Sequence, residues 1–155
     1  MQIDKAPAIQ REALADGTVR LSAERCVFIY RRLRPGVLLV TIVGDDRGQF
    51  GSATLDEVAD ELSRFGKQLL LFCDLRETSG PTTPVMEMWT AWFANHQTEL
   101  RRVVLLVPPE SRVLHLSVSI AQHLSRTGNL IRICADADEF KQAIIDEVPG
   151  FDGMA

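Results

Sequence analysis

The sequence is short of cysteine, of net positive charge and of long apolar runs, and each shortage removes a class of function. Three cysteines, Cys26, Cys73 and Cys134, occur among 155 residues. They are odd in number, far apart, and lack the CxxC or Cys/His spacing of a zinc site or a disulfide framework. All three fall in apolar, strand-forming stretches, where a free thiol behaves as a small buried hydrophobe. The formal charge is −4, and Lys and Arg are scattered apart from pairs such as Arg31-Arg32 and Arg101-Arg102. No basic field is therefore offered to nucleic acid or to an anionic membrane. No apolar run approaches the roughly 20 residues that cross a bilayer. The opening stretch MQIDKAPAIQREALADG mixes charges of both signs and lacks a signal peptide's apolar centre. The expectation is a soluble, cytoplasmic protein. Nucleotide, phosphate and zinc-protease fingerprints are also missing, as is a nucleophile elbow. A non-enzymatic chain with no cofactor and no bound metal is expected.

What is present is an alternation of strands and helices sized for one domain. Residues 1–23 read as a polar lead-in, 24–148 as the α/β domain and 149–155 as a C-terminal tail. CVFIYRRLR (26–34), a Pro35-Gly36 turn and VLLVTIV (37–43) suit a hairpin whose first arm lies at a sheet edge. QLLLFCDL (68–75) and RVVLLV (102–107) are continuous apolar strands, as expected for parallel strands covered on both faces. The half-polar LIRICA (130–135) reads as another edge.

Between the strands run four helices. Leu55, Val58, Ala59, Leu62 and Phe65 repeat at helical spacing over 54–65, with Thr54 and Glu57 as a capping box and Gly66 as the stop. The others cover 84–98, a stretch from the Ser111 N-cap to Gly128, and 138–148, which buries Phe140, Ala143, Ile144 and Val148. The fold class is therefore α/β: a mixed, mostly parallel five-stranded sheet with an N-terminal β-hairpin and about four helices. If the strands lie in sequential order, right-handed crossovers put their helices on one face. The lead-in, a partner or the last helix then covers the other.

Function in such sheets collects beyond the carboxyl ends of the parallel strands. Asp45, Asp46 and Asp74 stand there as an acidic set, readable as solvated loop carboxylates, a phosphate acceptor or a hard-cation site. The stretch DLRETSGPTTPVMEMW (74–89) gathers Thr78, Ser79, Thr82 and Thr83 before a helix with Pro84 in its first turn and Thr83 as N-cap. These hydroxyls serve either as caps and turn formers or as a place where phosphate is added or bound, since a helix start favours negative charge. On a helical wheel Val85, Met86, Met88, Trp89, Trp92, Phe93 and Leu100 form an apolar arc wider than the roughly 100° stripe of a surface helix. His96 falls within the arc, as a satisfied core histidine or a ligand group. Met88 and Trp92 border its polar side, as core or as partner anchors.

The element order, together with VTIVGDD, LDEVADELSRFGKQLLLFCDL and ETSG, resembles the STAS domain of anti-sigma-factor antagonists, over residues 24–148. The short segment from Asp74 to Glu77 and the Trp-bearing helix are similar to a divergent branch grouped with Sec14-like folds. The resemblance implies a regulatory module phosphorylated by a partner kinase at the residue after the acidic position. That position corresponds to Thr78, with Ser79 next to it. The leading expectation is a module that binds a protein partner, a regulator or kinase-like protein, and is switched at this loop. The contact surface is expected at Glu77, Gly80, Thr82, Thr83, Met88, Trp89, Trp92 and His96. The alternative is a carrier or sensor of a small hydrophobic ligand held between sheet and helices. A homodimer fits either expectation.

Overall fold

Val19, Leu21 and Ala23 alternate with the polar Arg20 and Ser22, a period of two that makes a half-buried strand. That alternation begins the difference between the expected sheet and the observed one. The computed structural model describes residues 9–66, 68–109, 111–115, 118 and 130–153. In chain order the elements are β1 (Gln10–Ala13), β2 (Val19–Ala23), β3 (Cys26–Arg34), β4 (Val37–Val43), α1 (Ala53–Phe65), β5 (Leu69–Glu77), α2 (Thr83–His96), β6 (Leu100–Leu106), β7 (Ile131–Cys134) and α3 (Ala137–Glu147). Residues 112–115 are also helical. Ser111 caps them as expected, its Oγ accepting from the Leu114 N–H at 3.1 Å. The expected stop at Gly128 lies outside the described residues.

The strands form one seven-stranded sheet in chain order, β1 to β7. Pairing is antiparallel from β1 through β4 and parallel from β4 through β7. The expected α/β class and mixed sheet are observed, with seven strands in place of five. The two additional strands come from the residues read as a polar lead-in, whose short alternation is diluted by charge. Because β2 pairs with β3, β3 is interior and not an edge. The exposed β1 takes one edge, and β7 takes the other as its half-polar sequence suggests.

Two apolar layers sandwich the sheet. On one face Leu38, Val40 and Ile42 of β4, Leu71 and Cys73 of β5, and Val103 and Leu105 of β6 meet Val58 and Leu62 of α1, with Met86, Trp89 and Phe93 of α2 against them. On the other, Val37, Leu39, Leu70, Phe72, Val104 and Leu106 meet Phe140, Ala143 and Ile144 of α3 and Phe151. Sequential strands and same-handed crossovers place α1 and α2 together, and the last helix covers the opposite face. The charges ending β3 have partners across the sheet surface. Arg32 grips the buried Glu61 of α1 through two 2.8 Å hydrogen bonds.

The starts of α1 and α2 differ by one or two residues from expectation. The N-cap of α1 is Ser52, so the Thr54–Glu57 capping box does not form. Glu57 instead receives Arg11 of β1 at 2.6 Å, and Thr54 turns into the first helical turn, where it is 2% exposed. The N-cap of α2 is Thr82 and not Thr83, with Pro84 in the first turn. The expected stop of α1 is present: the Gly66 N–H donates to the Leu62 carbonyl at 2.9 Å.

Candidate functional site

Two loops meet beyond the carboxyl ends of the neighbouring parallel strands β4 and β5. Asp45 follows β4, and Thr78 and Ser79 follow β5. The Asp45 carboxylate accepts from the Ser79 N–H at 2.7 Å, from the Thr78 hydroxyl at 3.0 Å and from the Ser79 hydroxyl at 2.5 Å. The Gly80 N–H closes the turn by donating to Thr78 Oγ1 at 3.2 Å. Glu77, the exposed last residue of β5, accepts the Gly44 N–H at 3.0 Å on its carbonyl. One carboxylate therefore holds Thr78 and Ser79 at the centre of the ETSG turn.

The three acidic residues grouped by the sequence have separate partners here. Asp45 binds hydroxyls. Asp74, 5% exposed, is bidentate with Arg76 at 2.9 and 2.7 Å. Asp46 accepts from the Gly48 N–H, and its carbonyl receives the Thr82 N–H at 3.1 Å, tying this loop to the start of α2. No group of His, Cys, Asp and Glu suited to a metal ion occurs among the described residues.

Hydrogen bonding decides the charge state of this corner. The Ser79 hydroxyl is the largest of the influences that lower the Asp45 pKa, followed by the Ser79 amide, Thr78 and the nearby Arg47. Burial raises the Asp46 pKa. A carboxyl lowered on folding adds stability that is fully present above its unfolded pKa, about 3.9, and is lost as pH falls through the folded value. Acid titration of stability should therefore show a component below about pH 4 that disappears in Asp45→Asn. Urea midpoints of both proteins between pH 2 and 6 test this. Parallel curves would remove the ionised clasp.

A second loop buttresses the clasp. The β2–β3 turn is made by Glu24 and Arg25, both at positive φ (41° and 65°). This is hairpin geometry usually given to Asn-Gly, so its sequence signal is missing. The turn presses on Gly44, at φ 90°, where an added Cβ would sit 2.3 Å from the Arg25 carbonyl oxygen. A groove lined by Glu24, Arg25, Gly44, Asp45 and Arg47 opens beside it.

Helix α2 extends the site. Thr83 and Pro84 are exposed, and Val85 is the one fully buried residue of the helix. Met88, Trp89, Trp92 and His96 are all half-buried. The wide apolar arc is therefore divided between core and surface, and its expected last member, Leu100, begins β6 because the helix ends at His96. His96 Nδ1–H donates to the Trp92 carbonyl at 2.7 Å, and its ring stacks on Trp92 with centroids 4.1 Å apart. Beneath the helix, between sheet, α1 and α2, lies a cavity of about 90 Å³. Trp89 and Phe93 line it, as do Thr78 and Pro81 of the loop, whereas Trp92 and His96 do not. Of the expected residues, the structure thus joins Glu77, Thr78, Ser79, Gly80 and Thr82 to the clasp and Trp89 to the cavity. It sets Trp92 and His96 apart, further along α2. Sequence reasoning missed the steric role of Gly44, the contact made by Asp45 and the place of Thr54, which also lines the cavity.

No protein-family model matches this chain, and no curated protein matches its sequence. Solved structures do. A crystal structure of an uncharacterised protein with a SpoIIAA-like fold from Shewanella loihica PV-4 superposes with a TM-score of 0.52 at 14% identity, over 92% of this chain and 98% of that one. An anti-sigma factor antagonist from Mycobacterium paratuberculosis gives a TM-score of 0.53 at 11% identity, over 77% and 93%. Among the described residues no helix is long and apolar enough to cross a membrane. Sheet order, crossover placement and these superpositions agree that this chain has the fold of a STAS-like, anti-sigma-factor-antagonist-like domain.

Proposed function

We propose that the protein is a non-enzymatic regulatory module that binds a protein partner across the loop 77–83 and the adjoining half-exposed side of α2, and that phosphate on the loop switches this binding. The observation that carries the reading is the Asp45 clasp. Ser79 is exposed and donates to a carboxylate held ionised by its neighbours. Phosphorylation would replace that donor with a group of charge about −1.5 to −2 facing Asp45. Attraction then becomes repulsion at the point that holds the turn. Thr78 is half-buried with its hydroxyl engaged twice, so Ser79 is the more accessible acceptor. Met88 and Trp92, half-buried on the helix that follows the loop, are of residue types enriched at interfaces. The structural likeness to an anti-sigma factor antagonist supports a partner among regulators and their kinases.

The test uses a partner recovered from host extract with the immobilised chain, identified, purified and titrated. Ser79→Asp should weaken its binding at least about tenfold, or about 1.4 kcal/mol, and Thr78→Asp should act in the same direction. Ser79→Ala, lacking the charge, should retain most of the affinity. Equal binding by all variants would remove the switch.

A second reading rests on the cavity. A small molecule held between sheet and helices would make the domain a carrier or sensor.

A further inference from the structure

We propose that α2 is a movable cover, held down chiefly at its first turn, and that releasing Ser79 from Asp45 lets the rest of the helix lift from the sheet. The proposal rests on the phosphate switch above and supplies its mechanical step. Three observations carry it.

The first is how little of α2 is buried. Helix α1 buries Thr54, Leu55, Val58, Glu61 and Leu62, and α3 buries Phe140, Ala143 and Ile144. Helix α2, the longest of the three at 14 residues, buries Val85 alone, near its start. Trp89, Trp92 and Phe93 are half-buried. Local stability follows the apolar surface an element removes from water. Beyond Val85, α2 is lightly held.

The second is the quality of its seat. About 90 Å³ stands unfilled between α2, α1 and the sheet, where native interiors are close-packed. Among the described residues, four buried side-chain atoms lack a hydrogen-bond partner: Trp89 Nε1, Gln97 Oε1, Thr54 Oγ1 and Asp46 Oδ2. Trp89 lies on α2 and Gln97 caps its end. Thr54 lines the cavity beneath it, and Asp46 receives the N–H of its N-cap, Thr82. Each of these atoms has left water without regaining a hydrogen bond. Lifting α2 returns water to Trp89 and Gln97, which offsets part of the apolar surface exposed.

The third is where the helix is tied. The Asp45 clasp holds Thr78 and Ser79, the Thr82 N–H is held by Asp46, and Arg112 donates to the Pro81 carbonyl at 3.2 Å. All three ties lie at or before the start of α2. Thr78 and Pro81 are also walls of the cavity. Opening the clasp therefore shifts the wall beside the first turn of α2. At the far end a turn at 97–99 leads to the buried Leu100 of β6, and the helix pivots there. Met88 and Trp92 ride on α2, so the lift carries the partner surface with it.

Backbone amide hydrogen exchange decides the matter, read segment by segment in the unaltered chain, in Ser79→Asp and in Asp45→Ala. In the unaltered chain, amides of 87–96 should exchange at least about tenfold faster than those of α1 and α3. Both variants should speed 87–96 by roughly fivefold or more and leave α3 unchanged. Equal protection of all three helices, or unchanged exchange in α2 of both variants, would overturn the proposal. Faster exchange in every helix alike would mean general loosening and would overturn it too. The partner titration separates this step from the reading beneath it. If Ser79→Asp weakens the partner while α2 stays protected, the switch stands as a charge effect on the loop alone. If α2 loosens while the partner binds unchanged, the moving helix stands and the regulatory reading falls.

Discussion

Replacing Gly44 with alanine should lower folding stability by about 3 kcal/mol, close to the upper end for an overpacked site. Two penalties combine. At φ 90° the backbone lies where L-residues are disfavoured. The added carbon also meets the Arg25 carbonyl oxygen at 2.3 Å, a backbone atom that cannot swing aside as a side chain would. Relief requires the β2–β3 turn to lift, and that turn is already held at positive φ by two residues with side chains. For a chain of this length each kcal/mol is worth roughly 2–4 °C, so melting should fall by about 6–12 °C. Gly48→Ala is the control: φ is 103° there, and a Cβ meets nothing within 4 Å. Its cost should stay near 1 kcal/mol, the conformational part alone. Thermal and urea denaturation of the two variants decide the matter. Equal losses would show that the hairpin yields freely and does not buttress Asp45.

Phe140→Ala should be more costly still, about 4 kcal/mol. Phe140 is fully buried and meets Phe72 of β5 edge to face, with ring centroids 5.8 Å apart. Its setting explains the size of the effect. The crossover helices occupy one face of the sheet, so among the described residues the other face is covered by α3 with Val148 and Phe151 after it. Truncation opens a cavity in a layer with few other side chains to collapse into it. Ile144→Val, in the same helix and equally buried, removes a single methylene and should cost about 1 kcal/mol. Urea unfolding curves of both proteins provide the check. A loss below about 2 kcal/mol for Phe140→Ala would mean that α3 is a loose cover for this face.

Much of the fold was legible because burial writes itself into periodicity. VLLVTIV and QLLLFCDL are continuous apolar runs since each strand is covered by apolar side chains on both faces. β2 was less visible: its alternation lasts five residues and includes Arg20 and Ser22 on the polar face. The helix starts were off by one or two residues because Ser, Thr and Asp are abundant at both junctions. A capping hydroxyl and a cavity-lining one have the same letter, and Thr54 is the case in point. The candidate site was half legible. Thr78 and Ser79 stood out as a cluster, yet their bond to Asp45 joins residues more than thirty positions apart, through the register of β4 against β5. Local spacing carries no trace of such a pairing. Gly44 was read as part of a family-like stretch, while the reason a side chain is excluded there lies on the facing hairpin.

The strict chain order of the sheet has a consequence for biogenesis. β1 to β4 are joined by tight reversals, so as a nascent polypeptide leaves the ribosome this meander finds all of its neighbours nearby, at little loop-closure cost. The parallel strands must wait for each intervening helix. The platform bearing Gly44 and Asp45 is thus expected to assemble before the parallel strands add to it, and Ser79 docks onto a surface already formed.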